Sequence, residues 1–101
     1  MGSDHGNSNQ NMEDHHLYEI VDNKKNEIYK YGISGRKLNP DGSSPRANEQ
    51  IKEFNNLAGW IRYIVNILLT KIPGRIEAKC IEADYIENYK KKYGHKPKGN
   101  R

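Results

Sequence analysis

From Leu17 to Asp22 the chain reads LYEIVD, and from Glu27 to Ile33 it reads EIYKYGI, both with apolar and polar positions in alternation. A period of two predicts strands. The polar stretch Asn23–Asn26 between them is too short for a crossover, so the pair reads as an antiparallel hairpin. Gly32 marks a bulge, a close approach to the backbone, or the strand's end. Ser34 to Ser44 is a loop carrying Gly35, Pro40, Asp41 and Gly42. Ser44 followed by Pro45 is an N-cap with proline at the first helical position. The helix this opens runs to about Asn55, with Ala47, Gln50, Ile51 and Phe54 inward, and Asn55 to Gly59 ends it. Trp60 to Ile72 is the most apolar stretch. Its β-branched content and the Pro73-Gly74 stop predict a third, central strand from about Tyr63 to Thr70, although Ile61 to Leu68 is also compatible with a helix. From Arg75 the pattern changes to a helical one, with Ala78, Ile81, Tyr85, Ile86, Tyr89 and Tyr93 on one face. Gly94 stops this helix, and Lys90 to Lys92 complement its negative end. The predicted fold is α+β: a small three-stranded antiparallel sheet flanked by helices, in the order β-β-α-β-α.

Glu82 breaks the apolar stripe of the last helix. It lies four residues after Ala78 and three before Tyr85, and so faces the protein body. A carboxylate there is costly unless it is paired or holds a metal. Two readings follow from the pattern: a half-buried ion pair with a cation elsewhere, or a metal-binding or catalytic group.

Composition narrows the choice. The chain has 101 residues, 34% of them hydrophobic and 30% charged, which limits it to one modest core. No apolar run reaches membrane-spanning length. Met1 to His16 is polar throughout, with no signal-peptide pattern, and reads as a leader of tag and linker character outside the fold. The domain is then 17–101. Those residues hold all 17 Lys and Arg but 10 of the 13 acidic residues, a net of +7. A basic module of this size implies a polyanion partner, with nucleic acid first. His5, His15 and His16 fit a polar tail better than a metal cluster. Cys80 is the sole cysteine, on the polar side of the last helix, and excludes a disulfide framework and a zinc ribbon.

The pieces in this order resemble the GIY-YIG, or URI, nuclease fold. His16-Leu17-Tyr18 is similar to the end of that family's first motif. Lys30-Tyr31-Gly32, after 11 intervening residues, is similar to its second. Arg46, with Gln50 one turn later, is similar to the arginine of the family's first helix and the His, Tyr or Gln that often follows it by one turn, and Glu82 to its single metal-binding glutamate. Asn100 in the tail KPKGN is similar to the family's terminal asparagine. One departure matters: Lys30 stands where the second tyrosine usually lies, with Tyr29 and Tyr31 beside it. A regular hairpin sets Tyr31 across from Tyr18, and a one-residue bulge sets Lys30 there.

The resemblance implies a metal-dependent endonuclease that hydrolyses DNA, with RNA the alternative substrate. Tyr18, Lys30, Tyr31, Arg46, Gln50 and Glu82 would form its site, and Glu82 would hold Mg2+ or Mn2+. Tyr18 would take a proton from the attacking water or orient it, with Lys30, Arg46 and the ion lowering its pKa. Arg36, Lys37, Lys96, Lys98 and Asn100 would contact nucleic acid. The tail also resembles URI-type toxin modules of bacterial polymorphic toxins, which are delivered into a target cell to act in its cytoplasm and are neutralised by an immunity protein. A non-catalytic nucleic-acid-binding module and an intracellular mobile-element endonuclease are the alternatives.

Overall fold

Strand β1 (Asp14–Asp22) is the centre of the sheet. In the computed structural model, which describes residues 12–100, it pairs antiparallel with β2 (Glu27–Ser34) on one side and β3 (Tyr63–Pro73) on the other. The helices are α1 (Pro45–Ala58) and α2 (Arg75–Tyr93). The element order is the predicted one, and α2 has the predicted bounds.

Three expectations need correction. The strand order is β2-β1-β3, so the apolar strand after Trp60 lies at an edge and β1 is central. Strand β1 begins at Asp14, so Asp14, His15 and His16 belong to the sheet and not to the leader. Both histidines are buried, and polar composition hid their place in the strand. Of the rest of the expected leader, Met12 and Glu13 lie exposed before the strand, and residues 1–11 lie outside the described residues.

The third correction is the register. Tyr18 pairs with neither Tyr31 nor Lys30 but with Gly32. Ile20 sits opposite Lys30 while Val21 sits opposite Ile28, so Tyr29 is an extra residue on β2. The bulge therefore falls on the second strand and shifts every partner beyond it by one.

Both faces of the sheet are covered, which explains why adjacent residues of β1 are buried. Tyr18 and Ile20 pack with Ala47, Ile51 and Phe54 of α1 and with Tyr29, Tyr63, Val65 and Ile67. On the other face Leu17, Tyr31 and Ile72 pack with Ala78, Ile81, Tyr85, Ile86 and Tyr89 of α2. Residues alternate across a strand, so the central strand feeds both clusters. At its far end Asp22 receives two bonds from Arg62, at 2.8 and 2.7 Å, which tie β1 to the entry of β3. That pairing holds the Asp22 carboxyl below its ordinary value.

Candidate active site

Tyr18 is the fixed point of the site. It is buried in mid-sheet, and its ring lies across the backbone of Gly32. A Cβ at Gly32 would collide with Tyr18 Cζ and Oη. The glycine of the Lys30-Tyr31-Gly32 motif is therefore the seat of the tyrosine ring, which settles its role in the strand as a close approach. The Tyr18 hydroxyl donates to Gln50 Oε1 at 2.6 Å.

Helix α1 brings Gln50 and Arg46 to this point. Ser44 caps it, accepting the Ala47 N–H at 3.2 Å, and Pro45 follows at its first position. Ala47 and Ile51 turn inward, so Gln50 beside them reaches Tyr18. Arg46 lies exposed in the first turn and makes no ion pair among the described residues.

The two candidates of the second motif part company. Cross-strand partners share a face. Since Tyr18 faces Gly32, Lys30 lies on the Tyr18 face and Tyr31 on the opposite one. Tyr31 is 7% exposed and packs edge-on against Tyr85 and Tyr89 of α2, at centroid distances of 5.4 and 6.5 Å. It belongs to the core and is not brought to the site. Lys30 is half-buried and feels the charges of both Arg46 and Glu82.

Glu82 is half-buried on α2 and makes no hydrogen bond or ion pair among the described residues. The ion-pair reading of its odd position thus loses its partner. Burial raises its pKa, and the nearby charges of Lys30, Arg75 and Lys79 offset this in part. Its own charge reaches Tyr18. Tyr18, Lys30, Arg46, Gln50 and Glu82 are linked by a hydrogen bond and by mutual electrostatics, and they come from β1, β2, α1 and α2.

Burial governs the protonation states here. The Tyr18 phenol is pushed up to about 12 by burial, with Glu82 adding to the rise and Arg46 opposing it. Arg46 lowers it as expected, but desolvation of the phenolate outweighs that cation. Lys30 is lowered, by burial first and by Arg46 second, with Glu82 opposing.

Among the described residues no group of three or more His, Cys, Asp or Glu side chains could hold a metal. A protein-held ion would rest on the Glu82 carboxylate alone. Such a site suits a hard divalent ion that keeps most of its waters and takes further oxygens from phosphate. A half-buried, unpaired oxygen donor fits that chemistry, whereas a zinc site with four protein ligands does not.

The C-terminal tail serves the site from behind. The Asn100 carboxamide accepts the Tyr31 N–H at 2.7 Å and donates to the Tyr31 carbonyl at 2.9 Å. The Gly99 N–H bonds the Tyr29 carbonyl at 2.7 Å, so the tail clasps the backbone on both sides of Lys30. A Cβ at Gly99 would sit 2.8 Å from Lys30 Cβ, too close for any other residue. Asn100, expected at nucleic acid, spends its amide on this internal clasp. Of the other expected nucleic-acid contacts, Arg36 donates from Nη1 to both carboxylate oxygens of Glu49, at 3.0 and 2.9 Å, and Lys98 lies 3.5 Å from Glu27. Arg36, Lys37, Lys96 and Lys98 are all exposed. Sequence reasoning missed His16, whose Nε2 lies 2.7 Å from Ser44 Oγ. Its position two residues before Tyr18, on the same face, was the available signal.

No helix among the described residues is long and apolar enough to cross a membrane. No curated protein and no solved structure matches this chain. A family model described as URI fold toxin 2 matches residues 8–94. The chain therefore belongs to the URI-fold toxin family.

Proposed function

From this membership of the URI-fold toxin family, we propose that the chain is the toxic module of a bacterial effector and acts as a divalent-metal-dependent nuclease on DNA, with RNA the alternative substrate. One observation carries the reading: an unpaired, half-buried carboxylate, Glu82, shares an electrostatic neighbourhood with Tyr18, Lys30 and Arg46. Phosphodiester hydrolysis needs an oriented water, a proton acceptor and cations on the phosphoryl oxygens, and this set supplies each.

A neutral Tyr18 with its proton committed to Gln50 keeps its oxygen lone pairs for a water hydrogen. It orients the nucleophile and does not deprotonate it. Lys30, whose pKa burial lowers, takes the proton in its uncharged form. Arg46, exposed and unpaired, forks onto the non-bridging oxygens, where charge builds in the transition state. Glu82 would hold Mg2+ or Mn2+, which when bound supplies Lewis acidity at the phosphate. Arg36, Lys37, Lys96 and Lys98 extend the positive surface along the phosphate backbone, and the Arg36–Glu49 pair opens to exchange one anion for another.

As a toxin the module acts in the cytoplasm of the cell it enters, and its producer carries an immunity protein that covers the site. Nicking of supercoiled plasmid and of RNA, with Mg2+ and with EDTA, tests the reading. Absence of cleavage of either substrate would overturn it.

A further inference from the structure

We propose that His16 is a positioning residue: through Ser44 it fixes the start of α1, and with it the placement of Arg46 and Gln50 over Tyr18. The inference rests on the nuclease reading only in the roles it gives those three side chains.

The geometry is a closed loop. His16 and Tyr18 lie on one face of β1, with ring centroids 6.1 Å apart. His16 Nε2 meets Ser44 Oγ at 2.7 Å in a buried contact that joins residues 28 apart in sequence. Ser44 is fully buried, and its hydroxyl oxygen also accepts the Ala47 N–H at 3.2 Å, while its carbonyl accepts the Asn48 N–H at 2.9 Å. Arg46 follows two residues after Ser44. One turn later Gln50 returns to β1 through the Tyr18 hydroxyl.

The strand thus holds the helix at two polar points, one at its cap and one in its second turn. The far end of α1 is tied to β3 by Asn55, whose carboxamide accepts the Tyr63 N–H at 2.7 Å and donates to the Tyr63 carbonyl at 3.0 Å. At the helix's start, where apolar contacts have no direction, the strand supplies the polar bonds. Two bonds set its rotation as well as its distance, and Arg46 hangs between them. The segment that precedes Ser44 reaches α1 through exposed contacts, Arg36 with Glu49 and Ser43 with Asn48, whereas the His16–Ser44 bond is buried. His16 is 3% exposed at the floor of an open pocket that Arg36, Lys37 and Thr70 also line, and its Nε2 is engaged by Ser44, so it acts through α1. Nor does its titration carry the argument; burial first and His15 second lower its pKa.

His16→Phe keeps a ring and removes the bond, while His16→Gln restores a polar nitrogen at similar reach. His16→Phe should lower kcat about 10- to 100-fold with KM nearly unchanged, because a small misplacement of a charged group costs that much. His16→Gln should recover most of the loss. In an Arg46→Ala background, His16→Phe should cost much less than in the wild type, the remainder being the part that acts through Gln50. Amide exchange at Ala47 and Asn48 should quicken in His16→Phe. If His16→Phe does not fold, Ser44→Ala cuts the same bond from the helix side and enters the same cycle. An undiminished rate per folded molecule, or a full additional loss in the Arg46→Ala background, overturns the inference. Should the wild-type protein cut no nucleic acid, the nuclease reading falls by itself. Exchange at Ala47 then decides the positioning role, and equal rates in His16→Phe and wild type overturn it.

Discussion

The phenol of Tyr18 donates its hydrogen to Gln50 Oε1 across 2.6 Å, in a place where burial pushes the phenol up to about 12. The two facts together make Tyr18 a fixed, neutral acceptor for a water hydrogen. Tyr18→Phe should lower cleavage by roughly 100-fold or more, in the range of a lost proton-handling group. Stability should change by only about 1 kcal/mol, the net worth of one such bond. Single-turnover cleavage and urea melts of the two proteins check both parts. Tyr18 should contribute no limb to the pH–rate profile between pH 6 and 9, since about 12 lies well above that window.

Gly32 exists to seat that ring. Gly32→Ala places a methyl group against Tyr18 Cζ and Oη, so ring or strand must move. The variant should lose about 1–3 kcal/mol, as overpacked sites do. It should also lose cleavage nearly as fully as Tyr18→Phe. Thermal melts with activity assays on the folded fraction separate the two effects.

Lys30 and Tyr31 separate by face, and the consequences are opposite. Tyr31→Phe should change cleavage little, because the Tyr31 ring lies among Tyr85 and Tyr89. Lys30→Met should abolish it. Lys30 has a lowered pKa in the folded protein, so the folded state holds that proton less tightly than the unfolded chain. Its charge is a standing cost below the lowered value. Stability should rise as pH climbs from there toward the ordinary lysine value of 10.5. Lys30→Met should therefore be no less stable than wild type at pH 7. The cleavage rate should increase with pH until Lys30 is neutral, and Lys30→Arg, which stays charged, should be inactive. Activity in Lys30→Arg would show that only a cation is needed there.

Asn100 tests the clasp behind the site. Asn100→Ala removes two bonds to the Tyr31 backbone and should cost about 1–3 kcal/mol. Because Gly99 and Asn100 grip the strand on either side of Lys30, cleavage should fall while nucleic-acid affinity measured by titration stays close to wild type. A parallel fall in affinity with unchanged turnover would instead place Asn100 on the nucleic acid.

Much of this arrangement is legible in the chain. The helical stripe from Ala78 to Tyr93 and the Ser44-Pro45 start fix both helices, and Glu82 stands out as a carboxylate in an apolar row. What escaped is information that local pattern does not carry. The extra residue at Tyr29 follows a register that alternation alone cannot distinguish from its neighbours. Strand β3 looked central because it is apolar, yet many of its side chains stay exposed at a sheet edge. His16 was lost in a polar segment because its burial depends on Ser44, far away in sequence. The rise of the Tyr18 pKa depends on how deeply the ring is enclosed, and the count of nearby cations pointed the other way.

The central claim is that Glu82 is held unpaired for a metal ion that assists phosphodiester cleavage. Its raised pKa means that the folded protein prefers it protonated more than the unfolded chain does, so its charge at neutral pH is a cost. Glu82→Gln removes that charge with almost no change of shape. The decisive measurement is plasmid nicking by wild type and Glu82→Gln, each with Mg2+ and with EDTA, alongside the melting temperature and DNA affinity of both. The predicted result is nicking by wild type in Mg2+ alone, and none by a Glu82→Gln protein that melts no lower and binds DNA as well. Nicking that survives EDTA, or Glu82→Gln cutting at the wild-type rate, would contradict the claim.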